Sequence, residues 1–166
     1  MVNDKIPDIK SSFIYNGTHI DVEWFDLIGL EMPDLSWQQV YVIGDVGGKV
    51  PIVHYKTGDK DNLPGGKTKQ GEVIDSTIRR EIKEEINCKV LSWYPIGYQK
   101  NIEPSGKATY QLRVRAKLEK VGDFTEDTGG SVTGYSLAGL DDLNEHIQYG
   151  DIGERMVDLI KEHEGV

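Results

Sequence analysis

The chain has 166 residues, 28 acidic against 19 basic, for a formal net charge of −9. That length suits one domain with a full core, and the charge excludes any general attraction to nucleic acid or anionic membrane. One cysteine, Cys88, and four scattered histidines (His19, His54, His146 and His163) exclude an intrachain disulfide and a cysteine-rich zinc site. The first residues, MVNDKIPDIK, lack the apolar run of a signal peptide. No apolar stretch approaches the ~20 residues of a membrane helix, so the expected location is the cytoplasm. An anionic substrate would need a bound cation or a few basic side chains to meet it.

In chain order, FIYNGTHIDVEWF carries two β-prone runs around Asn16-Gly17, a strong hairpin signal. Residues 1–36 are therefore expected to form a hairpin extension that packs on the core or on a dimer partner. QQVYVIGDVGGKVPIVHYK predicts a second hairpin turning at Gly47-Gly48. It is followed by the turn-rich TGDKDNLPGGKTKQGE and a helix from about Ile74 to Ile86. Two strands follow in Val90–Gln99 and Ala108–Leu118, then a polar loop, GDFTEDTGGSVTG (122–134), and a last helix over about Ile152–His163. Strands, helix, strands, helix predict an α/β (α+β) domain with a mixed β-sheet covered by helices.

In the strand over Ala108–Leu118, Tyr110, Leu112, Val114, Ala116 and Leu118 share one face. Gln111, Arg113, Arg115 and Lys117 share the other. That polar face is expected to be solvated, the sharper alternative being that Arg113 or Arg115 reaches a phosphate.

The helix carries the chemistry. Ile74, Ile78, Ile82 and Ile86 form one apolar stripe at ~100° per residue. Ser76, Arg80 and Lys83 lie opposite it. Glu81 and Glu85 lie beside the stripe, with Glu84 just outside them. Carboxylates at this spacing repel by roughly 0.2–0.5 kcal/mol per pair, and aiming them at the protein body adds desolvation. A divalent cation offsets both, and oxygen-only ligands suit Mg²⁺ or Mn²⁺. Upstream, Pro64-Gly65-Gly66 allows close backbone approach, so that a Gly66 carbonyl could supply a further hard oxygen.

Together these residues resemble the Nudix box, G-x5-E-x7-R-E-U-x-E-E-x-G-U, where U is a bulky apolar residue. Gly66, Glu72, Arg80, Glu81, Ile82, Glu84 and Glu85 fall at the matching positions. Two positions depart from the pattern: Asn87 replaces the glycine after the helix, and Cys88 fills the last apolar position. Asn is the next best residue for a left-handed cap, so the cap is expected to survive. The motif covers about 23 residues and the rest carries no specific signature.

The resemblance implies an α/β/α sandwich, with residues 37–166 as the Nudix hydrolase domain. It implies Mg²⁺- or Mn²⁺-dependent hydrolysis of the pyrophosphate bond of a nucleoside diphosphate linked to another moiety. Candidates are ADP-ribose, a dinucleoside polyphosphate, a nucleotide sugar or a modified dNTP. Glu81, Glu84 and Glu85 are the implied metal ligands, with Gly66 through its carbonyl. Arg80 would orient the glutamates, and Glu72 would hold Arg80 or reach the metal through water. The base is Glu81 or a loop carboxylate, and the candidates for that base or for a supplementary metal ligand are Glu126 first, then Asp127, then Glu103. The alternative is a non-catalytic domain that senses ADP-ribose or another nucleotide; it is disfavoured because no box glutamate is missing. An isopentenyl diphosphate isomerase is disfavoured because Cys88 stands in the wrong place for its chemistry. Trp37, Tyr41, Trp93, Tyr94 and Tyr98 could stack a base. Expected partners are a small nucleotide substrate and a second copy of the chain in a homodimer, with no stable nucleic acid and no membrane.

Overall fold

A computed structural model describes residues 5–127 and 130–166. Among these, no helix is long and apolar enough to cross a membrane. Strands β1 (Ile9–Tyr15) and β2 (Thr18–Asp26) form the first hairpin. Its turn residues Asn16 and Gly17 have φ of 49° and 78°, the positive values that a two-residue hairpin loop needs.

Strands β3 (Trp37–Asp45), β4 (Val50–Tyr55) and β5 (Gly65–Lys67) precede helix α1 (Ile74–Ile86). Strands β6 (Cys88–Ile102), β7 (Ala108–Lys120) and β8 (Val132–Ala138) follow, then the short helix α2 (Leu143–Ile147) and α3 (Gly150–Glu164). The large sheet runs β1-β2-β6-β7-β3-β5, and β4 pairs with β8 in a small one. The β3–β7 pair is parallel and the others are antiparallel, so the sheet is mixed.

Each face of the large sheet has its own core. On one, Ile78, Ile82 and Ile86 of α1 pack with Val40, Val42, Leu112 and Val114. On the other, Leu143, Ile147, Met156 and Ile160 pack over Trp24, Ile43 and Ile96. The β4–β8 pair serves both cores, through Val53 and Val132 on the first and Val50, Ile52 and Ala138 on the second. The result is an α/β/α sandwich. Residues 9–26 are its two outermost strands on one side, with β2 bonded to β6 and Trp24 fully buried.

Three sequence expectations are corrected. The chain turns at Gly47-Gly48 as expected, but the second hairpin does not persist: among the described residues only the Val46–Lys49 bridge links β3 to β4. A strand has two edges, and β7 and β5 occupy both edges of β3, so β4 turns away to pair with β8. The polar loop ends at Val132, where β8 begins; Val132, Thr133 and Gly134 belong to the strand, which Gly134 disguised. The polar face of β7 is solvated at Lys117 but not at its arginines: Arg113 and Arg115 are 2% and 8% exposed, under α3 and the segment leading into it. Arg115 donates to Glu164 near the end of α3 at 3.0 and 3.1 Å and to the Gly44 carbonyl at 3.0 Å. A partner 49 residues away made that burial affordable.

Candidate active site

Helix α1 begins after the turn that carries Glu72 and ends at Asn87. Asn87 adopts φ 48° and ψ 48°, and its N–H donates to the Lys83 carbonyl at 3.1 Å. The left-handed cap therefore forms without glycine. The Asn87 side chain adds a hydrogen bond to the Asp123 carbonyl at 3.1 Å, which ties the helix end to the start of the loop before β8.

Along the helix, Glu81 and Glu85 point inward and are 8% and 6% exposed. They meet the short strand β5. The Gly65 N–H donates to Glu85 Oε1 at 2.7 Å, and a Cβ on Gly66 would stand 2.7 Å from Glu81 Oε1. Gly65 has φ +150°, and a Cβ there would collide with the Val40 carbonyl and with Tyr41. These two glycines let the backbone lie against the carboxylates.

Arg80 organises the rest. Its Nε and Nη2 donate to the two Glu72 oxygens at 2.8 and 2.9 Å, a bidentate pair. Nη1 donates to Glu81 Oε1 at 3.0 Å and to Glu84 Oε2 at 3.3 Å, and Nη2 also reaches the Lys67 carbonyl at 3.0 Å. Glu72 further accepts from the Thr77 hydroxyl at 2.7 Å and the Lys69 N–H at 3.1 Å. Arg80, assigned by helical position to the side opposite the stripe, is thus half-buried among acceptors. The Arg80 guanidinium beside Glu72 is the main reason its carboxyl falls to about 2.

Glu85 has the opposite balance. Burial pushes its carboxyl up to about 8, against the Gly65 hydrogen bond, and the charges of Glu81 and Asp127 add to the rise. Burial raises Glu81 too, with Arg80 opposing and Glu84 and Asp127 reinforcing. Asp127 is therefore the loop carboxylate whose field reaches the pair, while the neighbouring Glu126 is exposed. Glu103 stands at the β6–β7 turn beside Tyr15 and Asn16, away from the box. The loop continues into residues 128 and 129, which lie outside the described residues.

The aromatic candidates divide. Tyr98 is buried and stacks on Phe25 at 4.7 Å, with Trp37 edge-on at 5.4 Å. Trp93 donates to Asp75, and Tyr94 to Glu164. Tyr41 alone adjoins the site: it pairs with Gly65 across β3–β5, and burial pushes its hydroxyl up to about 12. A surface hollow of about 460 Å³ is lined by residues such as Leu27, Leu30, Leu35 and Tyr98 and includes none of the box glutamates.

Comparison with known proteins decides the fold. No family model and no curated protein matches the chain. Among solved structures, a mutant of the Bacillus subtilis pyrophosphohydrolase BsRppH superposes with a TM-score of 0.69 at 21% identity, over 92% of this chain and 97% of that one. A NUDIX hydrolase from Nitrosomonas europaea gives 0.58 at 19%, over 76% and 88%. A C. elegans Ap4A hydrolase in a binary complex gives 0.52 at 12%, over 77% and 99%. The chain has the Nudix fold. Within it, the Nudix-box residues Glu72, Arg80, Glu81 and Glu84 form one hydrogen-bonded group, and Glu85 sits beside them on Gly65.

A hard divalent cation suits this donor set. Glu81 and Glu85 are buried carboxylates, and among the described residues the Gly65 N–H is the sole hydrogen-bond donor to Glu85. In the metal-free chain burial favours the protonated form of Glu85, and a bound cation would favour the carboxylate in its place. Among the described residues no three ligating side chains are already gathered around one point. Arg80 holds Glu81 and Glu84 instead, so those two carboxylates would have to turn to share a cation with Glu85.

Proposed function

We propose that the chain is a Nudix hydrolase that cleaves the pyrophosphate bond of a nucleoside diphosphate linked to another moiety, with Mg²⁺ or Mn²⁺. The observation that carries this reading is the burial of Glu81 and Glu85 against the two glycines of β5, beside an arginine held by Glu72. A solvated charge run would have no use for that arrangement. The fold's neighbours, among them a pyrophosphohydrolase and an Ap4A hydrolase, agree with anhydride chemistry.

Glu81, Glu84 and Glu85, with the Gly66 carbonyl, are the residues that would hold the cation. When bound, it would screen the substrate's charge from the glutamates, polarise phosphoryl oxygens and lower the pKa of an attacking water. Arg80 fixes the orientation of Glu81 and Glu84, and Glu72 fixes Arg80. The proton of the attacking water is assigned to Asp127 or Glu81, two carboxylates close enough to feel each other's charge. We move the loop assignment from Glu126 to Asp127 because Glu126 is exposed.

The test is a panel of ADP-ribose, dinucleoside polyphosphates, nucleotide sugars and modified dNTPs, each with Mg²⁺, Mn²⁺ and excess EDTA, with products identified. Metal-dependent anhydride cleavage of at least one member is expected. Tight binding without turnover of any member would favour the sensing domain instead, and full activity in EDTA would remove the metal from the reading.

A further inference from the structure

Arg113 is an oddity in the sheet. It is 2% exposed, and its Nε and Nη1 have no hydrogen-bond partner among the described residues. Tyr41 and Tyr149 cover the guanidinium, with its carbon 4.8 and 5.5 Å from their ring centres. Cation–π contact offsets part of the desolvation, yet an apolar residue of similar volume would commonly pack there at less cost. What the arginine does that an apolar residue cannot is donate.

Its Nη2 donates to Gln111 Oε1 at 3.0 Å and to Gln99 Oε1 at 3.4 Å. A guanidinium has no acceptor, so both glutamine oxygens must face it and both amide nitrogens must face away. Each amide passes that polarity on. Gln111 Nε2 donates to Gln39 Oε1 at 2.5 Å, and Gln99 Nε2 donates to Asn101 Oδ1 at 2.8 Å. The row spans β3, β7 and β6 on one half-buried face. It ends in two amide nitrogens, Gln39 Nε2 and Asn101 Nδ2, which have no protein acceptor among the described residues. The buried cation has thus set both loose ends of the row as donors, and polarisation along such chains strengthens them.

The row adjoins the box. Gln39 pairs with Lys67 and Tyr41 with Gly65 across β3–β5, and Gly65 holds Glu85. From β5 to β7 is two strand spacings, about 10 Å, a separation that a ribose and phosphate can bridge. We propose that this amide row, oriented by Arg113, reads the base of the substrate and selects a nucleobase with a carbonyl where adenine carries its amino group. A 6-oxo purine offers acceptors at O6 and N7, whereas adenine sets an N6 donor against a donor. The inference rests on the nucleotide-hydrolase reading above and adds the class of base. Arg113 is a positioning residue, since it touches the amides and not the ligand.

Inosine and adenosine diphosphates share ribose and phosphates and differ only in the 6-substituent and the N1 proton of the base, so their dissociation constants in Mg²⁺, measured by calorimetry, isolate the base. Inosine diphosphate is expected to bind at least ~10-fold tighter, the effect of avoiding one unpaired buried donor. In the double variant Gln39→Leu, Asn101→Leu the ratio should fall to within about 2-fold, with the thermal midpoint kept. Arg113→Met should flatten the ratio too, by freeing the amides to flip; if it fails to fold, the half-buried double variant still decides. Equal binding, tighter binding of the adenosine form, or a ratio that survives in the folded double variant overturns the base assignment alone. Binding of neither diphosphate overturns it together with the nucleotide reading.

Discussion

Glu85 on α1 accepts a 2.7 Å hydrogen bond from the backbone N–H of Gly65 on β5. With the Arg80 bond to the Lys67 carbonyl, this contact ties the helix that carries the carboxylates to the strand at the edge of the sheet. It requires Gly65 at φ +150°, with no room for a Cβ against the Val40 carbonyl.

Gly65→Ala should therefore cost about 1–3 kcal/mol of stability, the range for forcing a side chain into such a backbone position. It should also displace Glu85 and abolish turnover. Urea unfolding and a nucleotide assay check the two halves. A variant of unchanged stability and activity would mean that β5 can move without consequence.

Arg80→Lys should fail although charge is kept. Arg80 makes five hydrogen bonds: two to Glu72 and one each to Glu81, Glu84 and the Lys67 carbonyl. A lysine ammonium has three donors and no fork. With Glu81 and Glu84 no longer fixed, kcat should drop about 100-fold, the scale for misplacing a catalytic group by an ångström. Steady-state kinetics in saturating Mg²⁺ reads this. A wild-type kcat would show that Arg80 only stabilises the turn.

How far the sequence carried this reading depends on the distance over which each feature is decided. The box was legible because its spacing, its apolar stripe and the Asn87 cap are local properties of 23 residues. The first hairpin was legible because Asn16-Gly17 dictates its turn. What failed was non-local. β3 and β4 look like a hairpin until β7 and β5 claim both edges of β3. Arg113 and Arg115 look solvated until Tyr41, Tyr149 and Glu164 arrive from other parts of the chain. The choice between the adjacent carboxylates Glu126 and Asp127 is a different case: it turns on where the folded loop carries each of them. The dipeptide gave no signal that could have separated them.

Glu72 should give the fold an acid-labile component. Its carboxyl lies near 2 in the folded chain against an ordinary 4.5, chiefly because of Arg80. A depressed acid stabilises the fold fully above the ordinary value and loses that contribution as pH falls through the folded value. The stability difference between wild type and Glu72→Gln should thus be constant above about pH 5 and shrink steadily between pH 4.5 and 2. Urea midpoints at pH 6, 4 and 3 trace it. A difference independent of pH would mean that Glu72 acts by shape alone.

The outer strand β1 should mediate self-association. Most apolar residues of the hairpin, including Trp24, Phe25 and Leu27, are absorbed by the chain's own core. Phe13, Ile14 and Tyr15 remain exposed by 41%, 70% and 65% on an edge with no partner strand among the described residues, the kind of edge that recruits another strand. A two-fold dimer is expected, and Ile14→Lys should disperse it. Light scattering at high micromolar concentration decides: a monomeric mass for the wild type rules the dimer out.

Glu85→Gln should separate activity from stability. Burial penalises the Glu85 charge, and Glu81 and Asp127 repel it. Glutamine keeps an oxygen to accept from Gly65 and removes that charge, so the metal-free protein should unfold at an equal or higher urea concentration than wild type. Turnover should nonetheless fall by at least ~100-fold, the scale of a single electrostatic contribution in an active site. Metal should also raise the thermal midpoint of the wild type more than that of the variant, because a ligand that binds only the folded chain stabilises it in proportion to its affinity. The two measurements are made on one preparation, with and without Mg²⁺. A variant that loses stability in EDTA would show that the Glu85 charge is already balanced without a cation. One that hydrolyses its best substrate at the wild-type rate would show that the box is not the catalytic centre.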